Sequence, residues 1–297
     1  MIDSIYIARH GAYYASNNNI VELNPEFEGF RLNWVTTAWT SPTGTPRDPP
    51  LAAFGESQAQ ELAAHFLTLP EDERPTGVWC SPYLAKALGL PIYIEHGIGE
   101  WYSPTAPGTG LHPRPGPAAS LTQFFPDTID TSWESIYYVS RKGEPVDALY
   151  ERCKGFLQDF LSLEEVHKKH KKILFVSHAA TVIGLTRELI GDRRMPLRVG
   201  CASLTTVTSG KGNGEVGRWE VGQEKLADAS FLTGGVQRDW GMEDIVIDPE
   251  SGEVVDDHGV PGTEGDGEGL VGSQVAKLGL KVLHGQTQGQ VIHTSNL

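Results

Sequence analysis

Apolar and polar positions divide this chain into a patterned first part and a patternless remainder. The run Ile5-Tyr6-Ile7-Ala8 is short, β-branched and aromatic, and stops on Arg9-His10-Gly11, which predicts a buried strand. Ala12 to Pro50 sustains no period and carries Asn17-Asn18-Asn19 and several prolines. It predicts a long loop, and one of that length in a compact domain is functional or poorly ordered. Within Gly55 to Leu69, Ala59, Leu62, Ala63, Phe66 and Leu67 recur at helical spacing. Gly77-Val78-Trp79-Cys80 and Pro91-Ile92-Tyr93-Ile94 predict two short strands, and Ser103 to Pro117 a second loop. The longest predicted helix runs from Pro145 to His167, with Leu149, Cys153, Phe156, Leu157 and Phe160 on one stripe. Ile173-Leu174-Phe175-Val176-Ser177 is almost wholly apolar, as a central parallel strand is. His178 follows it, then a predicted helix over Thr181 to Ile190, and closing strands at Ser203–Thr208 and Arg218–Val221.

Strand–helix alternation of this kind predicts an α/β domain with a mainly parallel sheet, over residues 1–235. Beyond that the sequence turns to Gly, Asp, Glu and Val without periodicity, which predicts an acidic, Gly-rich and largely disordered tail over 236–297. A net charge of -14 and a pI near 5.1 exclude a broad basic face, so no direct nucleic-acid binding is expected. A local basic pocket remains compatible with that charge. Cys80, Cys153 and Cys201 are widely spaced and odd in number, which fits buried thiols better than disulfides or a zinc site. No stretch approaches the roughly 20 apolar residues of a membrane span, and the N-terminus shows no leader pattern. These features predict a cytoplasmic or nuclear protein.

The candidate chemistry lies at two strand ends. His10 and His178 each terminate an apolar run, and each is followed by small residues, Gly11-Ala12 and Ala179-Ala180, that allow a ligand to approach. Ligands of open α/β sheets bind at that edge. Arg9 adds a fixed cation suited to oxyanions, and histidine can act as a nucleophile near neutral pH. The other histidines, His65, His112, His167, His170 and those of the tail, read as ordinary core or surface groups.

With Arg9-His10-Gly11 and Phe175-Val176-Ser177-His178-Ala179-Ala180-Thr181 in place, the chain resembles the histidine phosphatase superfamily, the phosphoglycerate mutase-like fold. Pro50 to Ala59 is similar to that family's helix start, Ser81-Pro82-Tyr83 to its Ser-Pro strand end, and Gly97-Ile98-Gly99-Glu100-Trp101 to its proton-donor segment. The nearest branch in pattern is the fungal one that includes the phosphatase-like subunit of transcription factor TFIIIC. The resemblance implies a three-layer α/β/α domain that acts without cofactor or metal on a phosphorylated small molecule or phosphoprotein. His10 would carry the phosphoryl group, Arg9 and His178 would hold its oxygens, and Glu100 would serve as acid and base. Gly11 and Ala179 would border the substrate.

Two departures qualify that picture. Residues Ala12 to Gly29 look like an insertion beside the nucleophile, which leaves Arg31 as the candidate second phosphate contact. After Ser81-Pro82-Tyr83 the chain reads Leu84-Ala85-Lys86-Ala87, where the family has an arginine and most of a helix. Lys86 offers only a point charge there, not a bidentate contact. Both departures fall at one edge and are consistent with an impaired relative or a misdrawn gene. Two functions are therefore expected: a phosphomonoester hydrolase working through phosphohistidine, or a non-catalytic interaction subunit of a TFIIIC-type complex with protein partners.

Overall fold

The first apolar run becomes strand β1, Ser4–Arg9, buried along its whole length. The computed structural model describes residues 1–15, 34–36, 51–80, 90–210, 214–247, 254 and 257–283. After β1 come two three-residue strands, β2 (Tyr13–Ala15) and β3 (Trp34–Thr36), then helix α1 (Ala53–Thr68) and strands β4 (Gly77–Cys80) and β5 (Ile92–Ile94). A short helix α2 (Ala118–Leu121) and strand β6 (Tyr137–Tyr138) lead into helices α3 (Val146–Ser162) and α4 (Glu164–Lys169). Strand β7 (Lys172–Ser177), helix α5 (Ala179–Ile190) and strand β8 (Leu204–Thr208) complete the domain, and β9 (Gly272–Ser273) and α6 (Val275–Leu278) lie in the tail.

Five strands form one sheet in the order β5-β4-β7-β1-β8, parallel except for β8 at one edge. Side chains alternate between its faces. Ile5, Ile7, Trp79, Ile173 and Phe175 pack with Leu149, Phe156, Phe160, Ile183 and Leu189 of α3 and α5. Tyr6, Ala8, Val78, Cys80 and Leu174 pack with Leu62 and Phe66 of α1 on the other face. The domain is thus α/β/α, as expected, and each large apolar side chain so buried contributes about 1.5–3 kcal/mol. All three cysteines are buried thiols. Among the described residues no helix is long and apolar enough to cross a membrane.

Besides β2 and β3, which pair in parallel inside the predicted loop over Ala12 to Pro50, three elements differ from expectation. The predicted helix over Pro145–His167 is broken at Leu163, where the backbone is extended (φ -73, ψ 118). The tail enters the break: Glu164 N–H donates to the Lys281 carbonyl (3.1 Å) and Leu283 N–H to that of Ser162 (2.7 Å). Periodicity does not register this, because the apolar stripe runs on through buried Leu163 and Val166. Arg218–Val221 is not a strand, since the N–H groups of Gly217 and Trp219 both turn to the Leu189 carbonyl (3.0 Å each). Only Glu220 pairs with Thr208 of β8.

The tail is the third. Its composition predicts disorder, yet the described part is fixed to the domain. Trp240 bridges to Val199, Gly272–Ser273 pairs antiparallel with Tyr137–Tyr138, and Val275 is buried. Backbone pairing with loops between 105 and 142 is joined by apolar side chains, among them Met242, Leu278, Leu280 and Val282, that pack on the main core, and no apolar periodicity announces them.

Ala12 closes the base of the long loop. Its carbonyl accepts from Ala52 N–H (2.9 Å) and its N–H donates to Gln58 Oε1 (3.0 Å). Arg31 and the segment 81–89, with Ser81, Pro82 and Lys86, lie outside the described residues. The strands that this segment joins do pair in parallel, Val78 with Ile92 and Cys80 with Ile94.

Candidate active site

Topology brings the two histidines together. β1 and β7 are parallel neighbours with Arg9 opposite Ser177, so the next residues, His10 and His178, leave the sheet side by side. His10 N–H donates to the Ser177 carbonyl (2.9 Å), and the ring centroids are 5.1 Å apart. His178 is also the N-cap of α5, with Ala179 its first residue. First-turn N–H groups of a helix lack intrahelical acceptors and favour anions. Gly11 is required by a close crossing: a Cβ there would lie 2.5 Å from the Gly55 carbonyl oxygen, and one on Gly55 would lie 1.8 Å from that of Ala12.

The hydrogen bonding of His10 fixes its reactive nitrogen. Nδ1 lies 2.6 Å from the Gly11 carbonyl oxygen, which can only accept. Nδ1 therefore carries the proton and Nε2 the lone pair. Burial, followed by the fields of His178 and Arg9, pushes the pKa of His10 well below its ordinary 6.5. The ring is neutral at neutral pH.

Glu100 completes the cluster, with Oε2 3.0 Å from His178 Nδ1. Burial opposes its ionisation, but His178, the Trp101 N–H and Arg9 outweigh burial and hold the carboxyl below its ordinary value. The loop that presents it is pinned from several directions. Arg152 Nη1 donates to the Gly97 carbonyl (2.8 Å), Thr181 Oγ1 to that of Gly99 (2.8 Å) and Ser177 Oγ to that of Ile98 (2.7 Å). Arg152 is in turn paired with Glu144 at 2.6 Å, both side chains being buried. On the other side of the turn, fully buried Glu95 accepts from the N–H groups of Gly97, Ile136 and Tyr137 and from Trp133 Nε1. Burial nonetheless pushes its pKa up to about 7.

Arg9 is 1% exposed, and its Nη1 donates to the carbonyls of Val199 and Arg238 (2.7 Å each). Its Nε and Nη2 are buried without a hydrogen-bond partner among the described residues. Leaving such donors unmet is costly, and a bound anion would satisfy them.

Of the residues singled out from sequence, Arg9, His10, Gly11, Glu100, His178 and Ala179 all fall at this edge, whereas Arg31 lies outside the described residues. Sequence reasoning missed Arg152, Glu144 and Glu95. Arg152 did leave a signal: it sits at the i+3 position from Leu149, on the stripe that α3 buries, where an unpaired arginine would not be tolerated. His10, Glu100 and His178 are the one group of three possible metal ligands among the described residues, with ligand atoms within 4.8 Å of one another.

Residues 36–222 match the histidine phosphatase superfamily (branch 1). The match begins after Arg9-His10-Gly11, whose place in the site rests on the geometry above. The chain is 35% identical over 205 residues to the transcription factor tau 55 kDa subunit of Saccharomyces cerevisiae, covering 64% of this chain and 42% of that protein. It thus spans less than half the length of that relative. Among solved structures, the ecdysone phosphate phosphatase of Bombix mori in complex with tungstate is 16% identical, with a TM-score of 0.48 over 75% of this chain and 93% of that one. A putative alpha-ribazole-5'-P phosphatase of Escherichia coli is 17% identical, with a TM-score of 0.43 over 77% and 97%.

Proposed function

The chain belongs to the histidine phosphatase superfamily, and on that premise we propose that it is a phosphomonoester hydrolase that passes the phosphoryl group through His10 with no need of a metal ion. The observation that carries this reading is the state of His10: proton on Nδ1, lone pair on Nε2, and a pKa pushed well below 6.5. In the first step Nε2 forms a bond to phosphorus as the ester P–O bond breaks. Arg9, through its unmet donors, and His178 at the N-terminus of α5 hold the equatorial oxygens, where charge gathers in flight. Ala179, small and first in α5, leaves the phosphoryl group room, and Gly11 lets the chain after His10 pass close to Gly55. A phosphomonoester entering as its monoanion brings a proton, and its negative field raises the affinity of Glu100 for that proton. Glu100 delivers it to the departing alkoxide. In the second step Glu100, now a carboxylate, takes a proton from water as the water attacks phosphorus and the P–N bond breaks. The substrate is a phosphorylated small molecule or a phosphoprotein.

Phosphate release from an aryl phosphate, followed from pH 4.5 to 8, tests the reading. The neutral ring is the reactive one and persists below pH 6.5, so the rate should hold as pH falls through 6.5 and decline only further down. An acid limb at or above 6.5 contradicts His10 as nucleophile, and no release at any pH removes the hydrolase altogether. The role of Glu100 has its own readout. Glu100→Gln should slow an alkyl phosphate by about 100-fold or more, the scale of general acid catalysis. An aryl phosphate, whose leaving group needs no proton, should lose far less. Equal losses on the two substrates would remove the acid from the scheme.

The tau 55 kDa relative favours a second reading, a non-catalytic, nuclear interaction subunit of a TFIIIC-type complex. Isolation of the chain in a stoichiometric assembly, together with an inactive site, would select it.

A further inference from the structure

Next to the histidine pair lies a small pocket that the scheme above does not use. Glu100 lines it together with the segment from His112 to Pro115 and with Val139 to Arg141. It has room of about 40 Å³, enough for a few water-sized groups. Two arginines line it, Arg114 and Arg141, and backbone carbonyls hold both guanidinium groups in place. Arg114 donates through Nη1 to the Glu268 carbonyl (3.0 Å) and through Nη2 to that of Val139, and it lies 5.4 Å over the Tyr138 ring. Arg141 donates through Nε to the His112 carbonyl (3.0 Å).

Carbonyls orient these cations but do not neutralise them. Burial and the proximity of Arg141 together push the Arg114 guanidinium below its ordinary value, so the two charges press on each other. Apart from Glu100, which is paired with His178, the carboxylates that meet these arginines belong to the tail and serve the pocket incompletely. Asp266 is half-exposed and 3.8 Å from Arg141, too long and too wet for a strong pair. Glu268 divides its carboxylate between Ser140 Oγ and Lys142 Nζ (3.6 Å). A pocket with two oriented cations, lined also by the proton-transfer carboxylate, lies on the alcohol side of the scissile bond in the scheme above and suits a negative group there.

We propose that this pocket binds a second anionic group of the substrate, a carboxylate or a further phosphate, and that Asp266 and Glu268 hold its rim in the absence of substrate. The inference rests on the hydrolase reading for the word substrate, but its test does not depend on turnover. Three non-hydrolysable probes are titrated by calorimetry into the whole chain: phenylphosphonate, 4-carboxyphenylphosphonate and 1,4-phenylenediphosphonate. The two doubly anionic probes should bind about tenfold tighter or more than phenylphosphonate, the scale of one charge-assisted hydrogen bond. A gain for one probe alone identifies which anion fits. In Arg141→Gln that ratio should fall to about one, and in Asp266→Asn, which removes the competing carboxylate from the rim, it should rise. A ratio near one in the native chain, or one that survives Arg141→Gln in protein shown to be folded by circular dichroism, overturns the proposal. Should Arg141→Gln fail to fold, an unchanged ratio in Asp266→Asn overturns it instead. If phenylphosphonate fails to bind while a doubly anionic probe binds in an Arg141-dependent way, the pocket stands and the phosphoryl-transfer reading falls. If no probe binds, both fall.

Discussion

His10→Ala should lower the rate of aryl phosphate hydrolysis by about 1,000-fold or more, the order of loss seen when a covalent nucleophile is removed. The alanine protein keeps Arg9, His178, Glu100 and the start of α5, so a bound phosphate would still meet its cations. What disappears is the lone pair that accepts phosphorus. The loss should therefore appear in kcat, with phosphate binding largely retained, and no acid-labile phosphoenzyme should be trapped on quenching. Retention of the native rate would mean that the phosphoryl group never visits this ring. The lowered pKa of His10, set by burial first and by His178 and Arg9 next, costs the fold only where the unfolded ring would bind a proton, so the stability of His10→Ala relative to the native chain should rise as pH falls below 6.5.

Arg152→Met should remove about 3–5 kcal/mol of stability, measured by urea denaturation at neutral pH, because it leaves Glu144 buried and uncompensated. Methionine fills similar volume, so most of the loss is electrostatic rather than a cavity. The double variant Arg152→Met/Glu144→Leu provides the control. Replacing both partners by apolar side chains is often neutral, so it should recover most of the loss. If the double variant is as unstable as the single one, the cost lies in the hydrogen bond from Arg152 to the Gly97 carbonyl, and not in the stranded carboxylate. Either way the loop carrying Glu100 loses an anchor. The double variant should therefore fold and still hydrolyse an alkyl phosphate poorly, separating the positioning role of Arg152 from its role in stability.

The parts of this protein that could be read in its sequence are those whose signal is local. The strand at Ile5–Ala8, the central strand at Ile173–Ser177 and the helix after Gly55 each advertise themselves through their own spacing. So do the strand-end histidines, because in a parallel sheet the carboxyl end of a strand is a site by construction. What went unread depends on partners distant in the chain. The break at Leu163 is made by Lys281 and Leu283, which supply backbone groups the helix would otherwise have paired internally. The tail's apolar residues follow no sustained period, yet Trp240, Met242, Val275, Leu278 and Val282 pack on the main core while its backbone pairs with β6 and neighbouring loops. Composition weighs only what a segment can bury by itself, so it predicts disorder there.

The Arg9-His10-Gly11 strand end shows the division most clearly. The sequence by itself determined the strand and its termination on two polar side chains, whereas the need for glycine directly afterwards came from its close crossing with Gly55. It also determined that a second such end exists at His178, since an apolar run that stops on histidine is visible in isolation. Only the tertiary structure decided that these ends are neighbours, because strand order depends on which apolar faces cover one another across the whole sheet. The same holds for the proton on Nδ1 of His10, which is set by a carbonyl one residue away in a turned backbone. It holds for the Glu100 loop as well, fixed by Arg152 from a helix on the opposite side of a long connection. Spacing along the chain carries the elements; the electrostatics of the site arise from distances between them, and those exist only after folding.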